Sequence, residues 1–198
     1  MGTIVTGRFL ITENLEVKHH FGVSFENGVI CDILDNTELL EKYPGYDVID
    51  CSDQIISPGF INAHMHLYGV ISHGISIPSE IDDFKSFLEN FWWPEVEDRL
   101  DHKMIAVTAR AMVYELINSG VTAFCDVLEA PMAISGALEV EAEALNDIGI
   151  KAILSLEASE RINTENGLLA IEENRSFYTK YKNHPLISGM ICLHTTFT

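Results

Sequence analysis

The chain has 198 residues, 47% of them apolar, with 12 Lys and Arg against 30 Asp and Glu for a net charge of −18. That apolar share can build a packed core, so a disordered chain is not expected. A surface this acidic repels phosphate backbones and anionic lipid heads, which argues against nucleic acid and membranes as partners.

No apolar run is long enough to span a bilayer, and Met1 to Leu10 lacks the regions of a secretory signal. Cys31, Cys51, Cys125 and Cys192 are far apart and form no C-x-x-C pair. They read as reduced, mostly buried thiols of a cytoplasmic protein. Gly2 with Thr6 fits a myristoylation pattern, but this segment reads better as an opening β-strand. Asn174-Arg175-Ser176 fits a glycosylation acceptor, but it falls in a predicted helix.

Residues 1–57 look all-β and are expected to form a small amino-terminal β-sandwich portion. Phe21 to Glu26 and Val29 to Leu34 flank Asn27-Gly28. Asn-Gly accepts the positive φ angles of a tight turn at little cost, so the pattern predicts a hairpin. Shorter β-like runs lie at Thr3 to Leu10 and Val48 to Cys51.

After Pro58 the pattern changes. Gly59 to His64 reads as a strand. Asp82 and Asp83 can cap a helix with one apolar face, made by Phe84, Phe87, Leu88, Phe91 and Trp92, and Pro94 is placed to end it. A second helix is predicted from about His102 to Asn118, stopped by Gly120, and a strand over Val121 to Asp126. Pro131 suits the first turn of a helix that runs to about Asp147, and Ile150 to Leu156 is the next strand. A helix over roughly Glu165 to Lys182 and a strand over Leu186 to His194 complete the pattern.

Strands alternating with helices imply parallel βαβ units and an α/β class. Four strands follow residue 57, where a complete eight-stranded β/α barrel takes roughly 250 residues. Residues 58–198 are therefore expected to form about half of a TIM-type barrel, strands one to four. A small open α/β sheet is the alternative, but it leaves the last strand without a covering helix.

The stretch Ser57 to His66 carries the most chemistry. Residues two apart on a strand point to the same side, so His64 and His66 should project together from the carboxyl end of the first barrel strand. Active sites of β/α barrels lie at that end. Two neutral imidazoles can be neighbouring ligands of one divalent metal. The bare H-x-H spacing also fits two unrelated surface or core histidines, and the residues alone leave both readings open.

Pro58-Gly59-Phe60-Ile61-Asn62-Ala63-His64-Met65-His66 resembles the first-strand signature of the amidohydrolase superfamily, in its branch of metal-dependent aminohydrolases, deaminases and chlorohydrolases. Leu67-Tyr68, Trp92-Trp93, Ala130-Pro131, Glu157 to Arg161, Glu172 to Arg175 and Leu193 to Thr198 make the chain most similar to aminohydrolases of the SsnA type. The resemblance covers essentially the whole chain.

The resemblance implies a hydrolase acting on carbon–nitrogen bonds other than peptide bonds. Its cofactor would be one divalent metal, Zn2+ ahead of Fe2+ or Mn2+, and its substrate a small purine- or pyrimidine-like heterocycle. His64 and His66 match the first two metal ligands, and His194 matches a substrate-facing histidine at the end of the fourth strand. The family's further ligands and its acid/base residues lie on later strands, so no catalytic residue is expected here and the isolated chain is expected to be inactive. One departure is His73-Gly74, where relatives often carry Arg-Gly. The H-x-E and P-C-x-x-C motifs of the other zinc deaminases are absent, which excludes that class. On this reading the chain is an incomplete enzyme whose partner would be a complementary carboxyl-terminal half or further copies in a homo-oligomer. The alternative is a non-catalytic interaction protein on the same scaffold.

Several other residues take plainer readings. Trp92 and Trp93 are expected in the core or a pocket wall, His19-His20 in solvent, and Glu157 with Arg161 either reaching a pocket or, the slightly favoured reading, in a surface pair. Asp126 has no expected role.

Overall fold

The computed structural model describes residues 2–77, 80–193 and 195. Two compact units divide the chain, Met1–Gly59 and Phe60–Thr198.

The first unit is a five-stranded sheet. Strand β1 (Thr3–Ile11) pairs antiparallel with β2 (Val17–His19) and β3 (Phe21–Glu26), and parallel with β5 (Asp47–Ile56). Strand β4 (Val29–Asp35) pairs antiparallel with β3. The β3–β4 hairpin turns at Asn27 and Gly28, with φ angles of 52° and 77°, as the Asn-Gly pair predicts. The unit is not all-β. Helix α1 (Asn36–Lys42) follows β4, capped by the Asp35 side chain on Thr37 N–H at 2.8 Å, and buries Leu39 completely. Seven residues with one buried position leave too little periodicity to read as a helix from sequence.

The second unit is a four-stranded parallel sheet in chain order: β6 (Phe60–Met65), β7 (Val121–Leu128), β8 (Lys151–Leu156) and β9 (Ile187–Gly189). Each neighbouring pair is parallel, as strand–helix alternation requires.

The helices cover one face. Between β6 and β7 come the short helices α2 (Phe84–Phe87) and α3 (Trp93–Glu95), then α4 (His102–Asn118). Asp101 caps α4 through Met104 N–H at 2.7 Å, and Ile105, Ala109, Val113 and Leu116 give it a buried stripe. Helix α5 (Ala137–Asn146) follows β7, and α6 (Thr164–Tyr181) follows β8. Leu128, Leu138, Leu145 and Leu154 lie in the shared core with the buried face of α4.

Four local expectations need correction. Pro94 does not end the helix that begins at Phe84. A π-helical turn over Leu88–Trp92 carries the chain into α3, with Pro94 inside it. Widening the turn spares the clash of a proline ring with the carbonyl four residues earlier. Helix α5 starts at Ala137, not Pro131, because Gly136 takes a left-handed φ of 81° and Glu173 of α6 accepts from Gly136 N–H at 2.9 Å and Leu138 N–H at 3.2 Å. A carboxylate from another helix thus sits on the positive end of α5. The last strand spans only three residues, with an isolated bridge from Glu157 to Cys192 beyond it. None of the four cysteines is buried: Cys31 is exposed and the others are half-buried.

Candidate functional site

Strand β6 does not run in simple register against β7. The pairing shifts between Asn62 and Met65, where Asn62 faces Phe124 and Met65 faces Asp126. One residue is accommodated there without a partner, a bulge immediately before and around His64. The imidazoles of His64 and His66 lie with ring centroids 5.0 Å apart and planes at 84°. Met65 turns the other way and packs against the core.

His66 is held by its backbone environment. Its Nδ1 lies 2.7 Å from the carbonyl oxygen of Val127 in β7. A carbonyl only accepts, so Nδ1 carries the proton, and Nε2 bears the lone pair of the neutral ring. Hydrogen bonding of the remote nitrogen is how metal-binding histidines are commonly oriented. The next residue is fixed as well: Leu67 N–H donates to Asp126 Oδ1 at 2.7 Å. Two neighbouring residues of β7 therefore grip the exit of β6.

Behind that grip lies a pair of buried carboxyls. Asp126 is fully buried, and Glu141 of α5 is 1% exposed. No N–H or O–H donor reaches Asp126 Oδ2 or either oxygen of Glu141. Burial pushes the Asp126 carboxyl up to about 7 despite the Leu67 N–H and Glu141. Burial, then Asp126 beside it, pushes Glu141 well above the ordinary carboxylate range. Burial thus favours the neutral, protonated form of both acids over a pair of buried charges. Neither acid carries a role legible in the sequence, since a single Glu on a helix such as Glu141 reads as solvated.

His64 and His66 open into a cavity of about 240 Å³. Its apolar walls are Tyr68, Phe84, Phe87, Leu88, Trp92 and Trp93, and its polar groups include Glu97, Glu129, Glu157 and Thr195. Trp92 and Trp93 thus take the pocket-wall place expected of them. Phe87 stacks on Trp92 at 5.5 Å.

Glu157 and Arg161 are not a surface pair. Glu157 is 3% exposed, and Arg161 sits in a buried network. Arg161 Nη2 is 2.8 Å from Asp98 Oδ1 and from Glu129 Oε1, and its guanidinium lies 4.7 Å from the Trp93 ring centroid. Tyr68 OH donates to Glu97 Oε1 at 2.9 Å. Burial and the adjacent Glu129 push Glu97 up to about 9, so it is held protonated. Burial would raise Glu129 too, but hydrogen bonds from its neighbours and the Arg161 charge outweigh it and hold that carboxyl below its ordinary value. Glu97 and Glu129 lie far from the H-x-H pair in sequence, and only tertiary folding brings them to it.

His19, His20 and His73 are exposed, and none of them is among the residues lining the cavity. His194 lies outside the described residues.

As a metal site the described residues give a partial fit. His64 and His66 supply two imidazoles with suitable spacing and, for His66, a fixed tautomer. Among the described residues no group of three or more His, Cys, Asp or Glu side chains is arranged to hold an ion.

Comparison with known proteins follows the same lines. The sequence profile of the Amidohydrolase family matches residues 55–196. A 5-methylthioadenosine/S-adenosylhomocysteine deaminase of Thermodesulfovibrio yellowstonii is 29% identical over 204 residues, covering 98% of this chain and 44% of the relative. The enzyme of the same name from Pyrococcus furiosus is 30% identical over 89% of this chain and 39% of its own length. Among solved structures, a triazine hydrolase of Arthrobacter aurescens superposes with a TM-score of 0.79 at 18% identity, covering 96% of this chain and 46% of that one. A zinc-bound adenosine deaminase of Xanthomonas campestris gives 0.73 at 15% identity, with 96% and 42% covered. The structural matches establish a shared fold. The chain spans less than half the length of these relatives.

Proposed function

The chain belongs to the amidohydrolase family, and we propose that it carries the metal-binding first part of a hydrolase that cleaves carbon–nitrogen bonds other than peptide bonds, of the deaminase type. The observation that carries this reading is the His64–His66 pair at the exit of β6, with His66 Nδ1 tied to Val127 and both rings at the mouth of an aromatic cavity. On this reading unit 1 is the amino-terminal β-portion and the four parallel strands are the first half of a β/α barrel. The relatives named as deaminases support a nucleoside-like heterocycle as substrate.

His64 and His66 would contribute two donors to one divalent metal. Zinc is favoured over Fe2+ or Mn2+ because imidazole suits it and because two of the structural relatives contain it. When bound, the metal supplies water activation near neutral pH and polarises the carbon under attack. The protein's own contributions are distinct. Val127 and Asp126 hold the histidine segment in place. The Tyr68, Trp92 and Trp93 rings exclude water and offer faces for a flat ring to stack on. His194 keeps its assignment as a substrate contact by resemblance.

A catalytic metal site takes at least three protein ligands, so the 198-residue chain alone should bind zinc weakly and release no ammonia from adenosine-type nucleosides. Metal analysis of the purified chain, with an ammonia-release assay, tests this. Zinc uptake that depends on both His64 and His66, without turnover, supports the reading. Zinc uptake indifferent to both residues overturns it.

A further inference from the structure

Apart from its two histidines, the ionisable groups that line the cavity are mainly carboxyls. Glu97, Glu129 and Glu157 face it alongside the two histidines and Thr195, and among the described residues no Lys or Arg lines it. The nearest cation, Arg161, is turned away from that role. Its Nη2 and Nε are taken up by Glu129 at 2.8 and 3.0 Å, and Nη2 also by Asp98 at 2.8 Å, while the guanidinium plane lies over Trp93. Arg161 therefore serves three neighbouring carboxyls, those of Glu97, Asp98 and Glu129, with one positive charge.

Glu97 has the consequence of that shortage built into it. It is 3% exposed, and its Oε1 accepts from Tyr68 OH. No hydrogen-bond donor reaches its Oε2, and Arg161 Nη2 stands 3.5 Å away, within ion-pair range only. Among the described residues Arg161 is the one cation beside these carboxyls, and Glu97 keeps a proton in place of a second.

We propose that the cavity selects flat ligands carrying a cationic amine or amidinium group, seated against Glu97 and Glu129 between the Tyr68, Trp92 and Trp93 rings, and rejects anionic ligands of the same shape. This rests on reading the cavity as the substrate site and names the class of substrate that site takes. A ligand cation supplies the charge Arg161 cannot. As it docks, the Glu97 O–H bond breaks, the proton passes to solvent, and the carboxylate pairs with the ligand N–H. The aromatic faces add cation–π attraction. A ligand carboxylate or phosphate would instead meet the ionised Glu129 in a site of low dielectric, with no guanidinium or ammonium to receive it.

The chain's only two tryptophans, Trp92 and Trp93, both line this cavity. Their fluorescence therefore reports occupancy without any metal. The test titrates the purified chain with benzamidine, benzamide and benzoate, which share a shape and differ in charge. Benzamidine should quench saturably and bind at least about tenfold tighter than benzamide, and benzoate should not saturate. One displaced proton should strengthen benzamidine up to about tenfold per pH unit below the Glu97 value, over a window of about pH 7.5 to 8.5, above the ordinary imidazole range. Benzamide should not respond. The groups facing Glu97 in that window are Tyr68, Glu129 and Arg161, with Asp98 beside it.

Glu97→Gln mimics the protonated acid, since its amide accepts from Tyr68 and donates to Glu129, so it should fold. It should abolish the pH response and most of the preference for benzamidine. Glu129→Gln should also reduce the preference. Benzoate binding as tightly as benzamidine overturns the proposal. So does a preference that survives both substitutions, because the chain's overall acidity would then be its source. Zinc takes no part in this titration. Failure of the metal-site reading would leave this result standing, and the reverse also holds.

Discussion

The Asp126 side chain accepts the Leu67 backbone N–H at 2.7 Å, and its buried carboxyl lies beside that of Glu141 in helix α5. One acid thus ties the segment just after His66 and packs beside helix α5, with no cation bonded to it among the described residues.

That arrangement sets a pH dependence of stability. Asp126, Glu141 and Glu97 all have folded-state values above their ordinary ones, Asp126 at about 7 and Glu97 at about 9. Between the ordinary carboxyl range and these values the folded chain binds more protons than the unfolded chain. Their stabilisation is therefore fully present below the ordinary range and is lost as pH rises through the folded values. Denaturant midpoints should fall as pH goes from about 5 to about 8, with a slope of at most about 1.4 kcal/mol per pH unit for each proton. Glu141→Gln gives Asp126 a permanent donor and should flatten the slope. Glu141→Leu leaves Asp126 with only the Leu67 N–H and should cost about 1–3 kcal/mol. A midpoint that rises over this range would contradict the assignment.

Arg161 should be sensitive to shape as well as charge. Its fork holds Glu129 and Asp98 while its plane lies on Trp93. Arg161→Ala should destabilise the chain by about 3–5 kcal/mol, because two carboxylates lose their partner. Arg161→Lys should recover only part of that, since an ammonium cannot reproduce the fork or the stacking. Equal stability of the Lys variant and the parent chain, by chemical denaturation, would show that charge alone matters.

Asn174 is completely buried in α6 and ties β8 to it. Its Oδ1 accepts from Leu156 N–H at 2.9 Å, and its Nδ2 donates to the carbonyls of Leu156 at 2.6 Å and Ala170 at 2.9 Å. Asn174→Ala should cost about 2–4 kcal/mol, and Asn174→Asp no less, because a carboxylate cannot donate to those carbonyls. Thermal melts of both variants check this. The same burial makes the Asn-Arg-Ser acceptor pattern inaccessible to glycosylation in the folded chain.

These residues mark how far the sequence could be read. The Asn27-Gly28 hairpin and helix α4, His102–Asn118, were legible because turn chemistry, caps and periodicity act between near neighbours. So was the closeness of the His64 and His66 rings, through their spacing of two residues. The start of α5 was not, since its cap is Glu173, on another helix. The Asp126–Glu141 pair and the Glu97–Glu129–Arg161 network were not legible either. The first joins a strand to the helix that follows it and the second joins three connecting segments, and single charged residues read as solvated until packing buries them.

The most direct test of the metal-site assignment follows the histidine ring nitrogens by heteronuclear NMR during zinc titration. The assignment predicts that zinc shifts Nε2 of His66 and a ring nitrogen of His64, while Nδ1–H of His66 stays protonated on Val127. His64→Ala or His66→Ala should abolish the remaining shifts. Met65→Leu should leave them unchanged, at a stability cost under about 1.5 kcal/mol. Zinc that perturbs His19, His20 or His73 and leaves His64 and His66 unmoved would contradict the assignment.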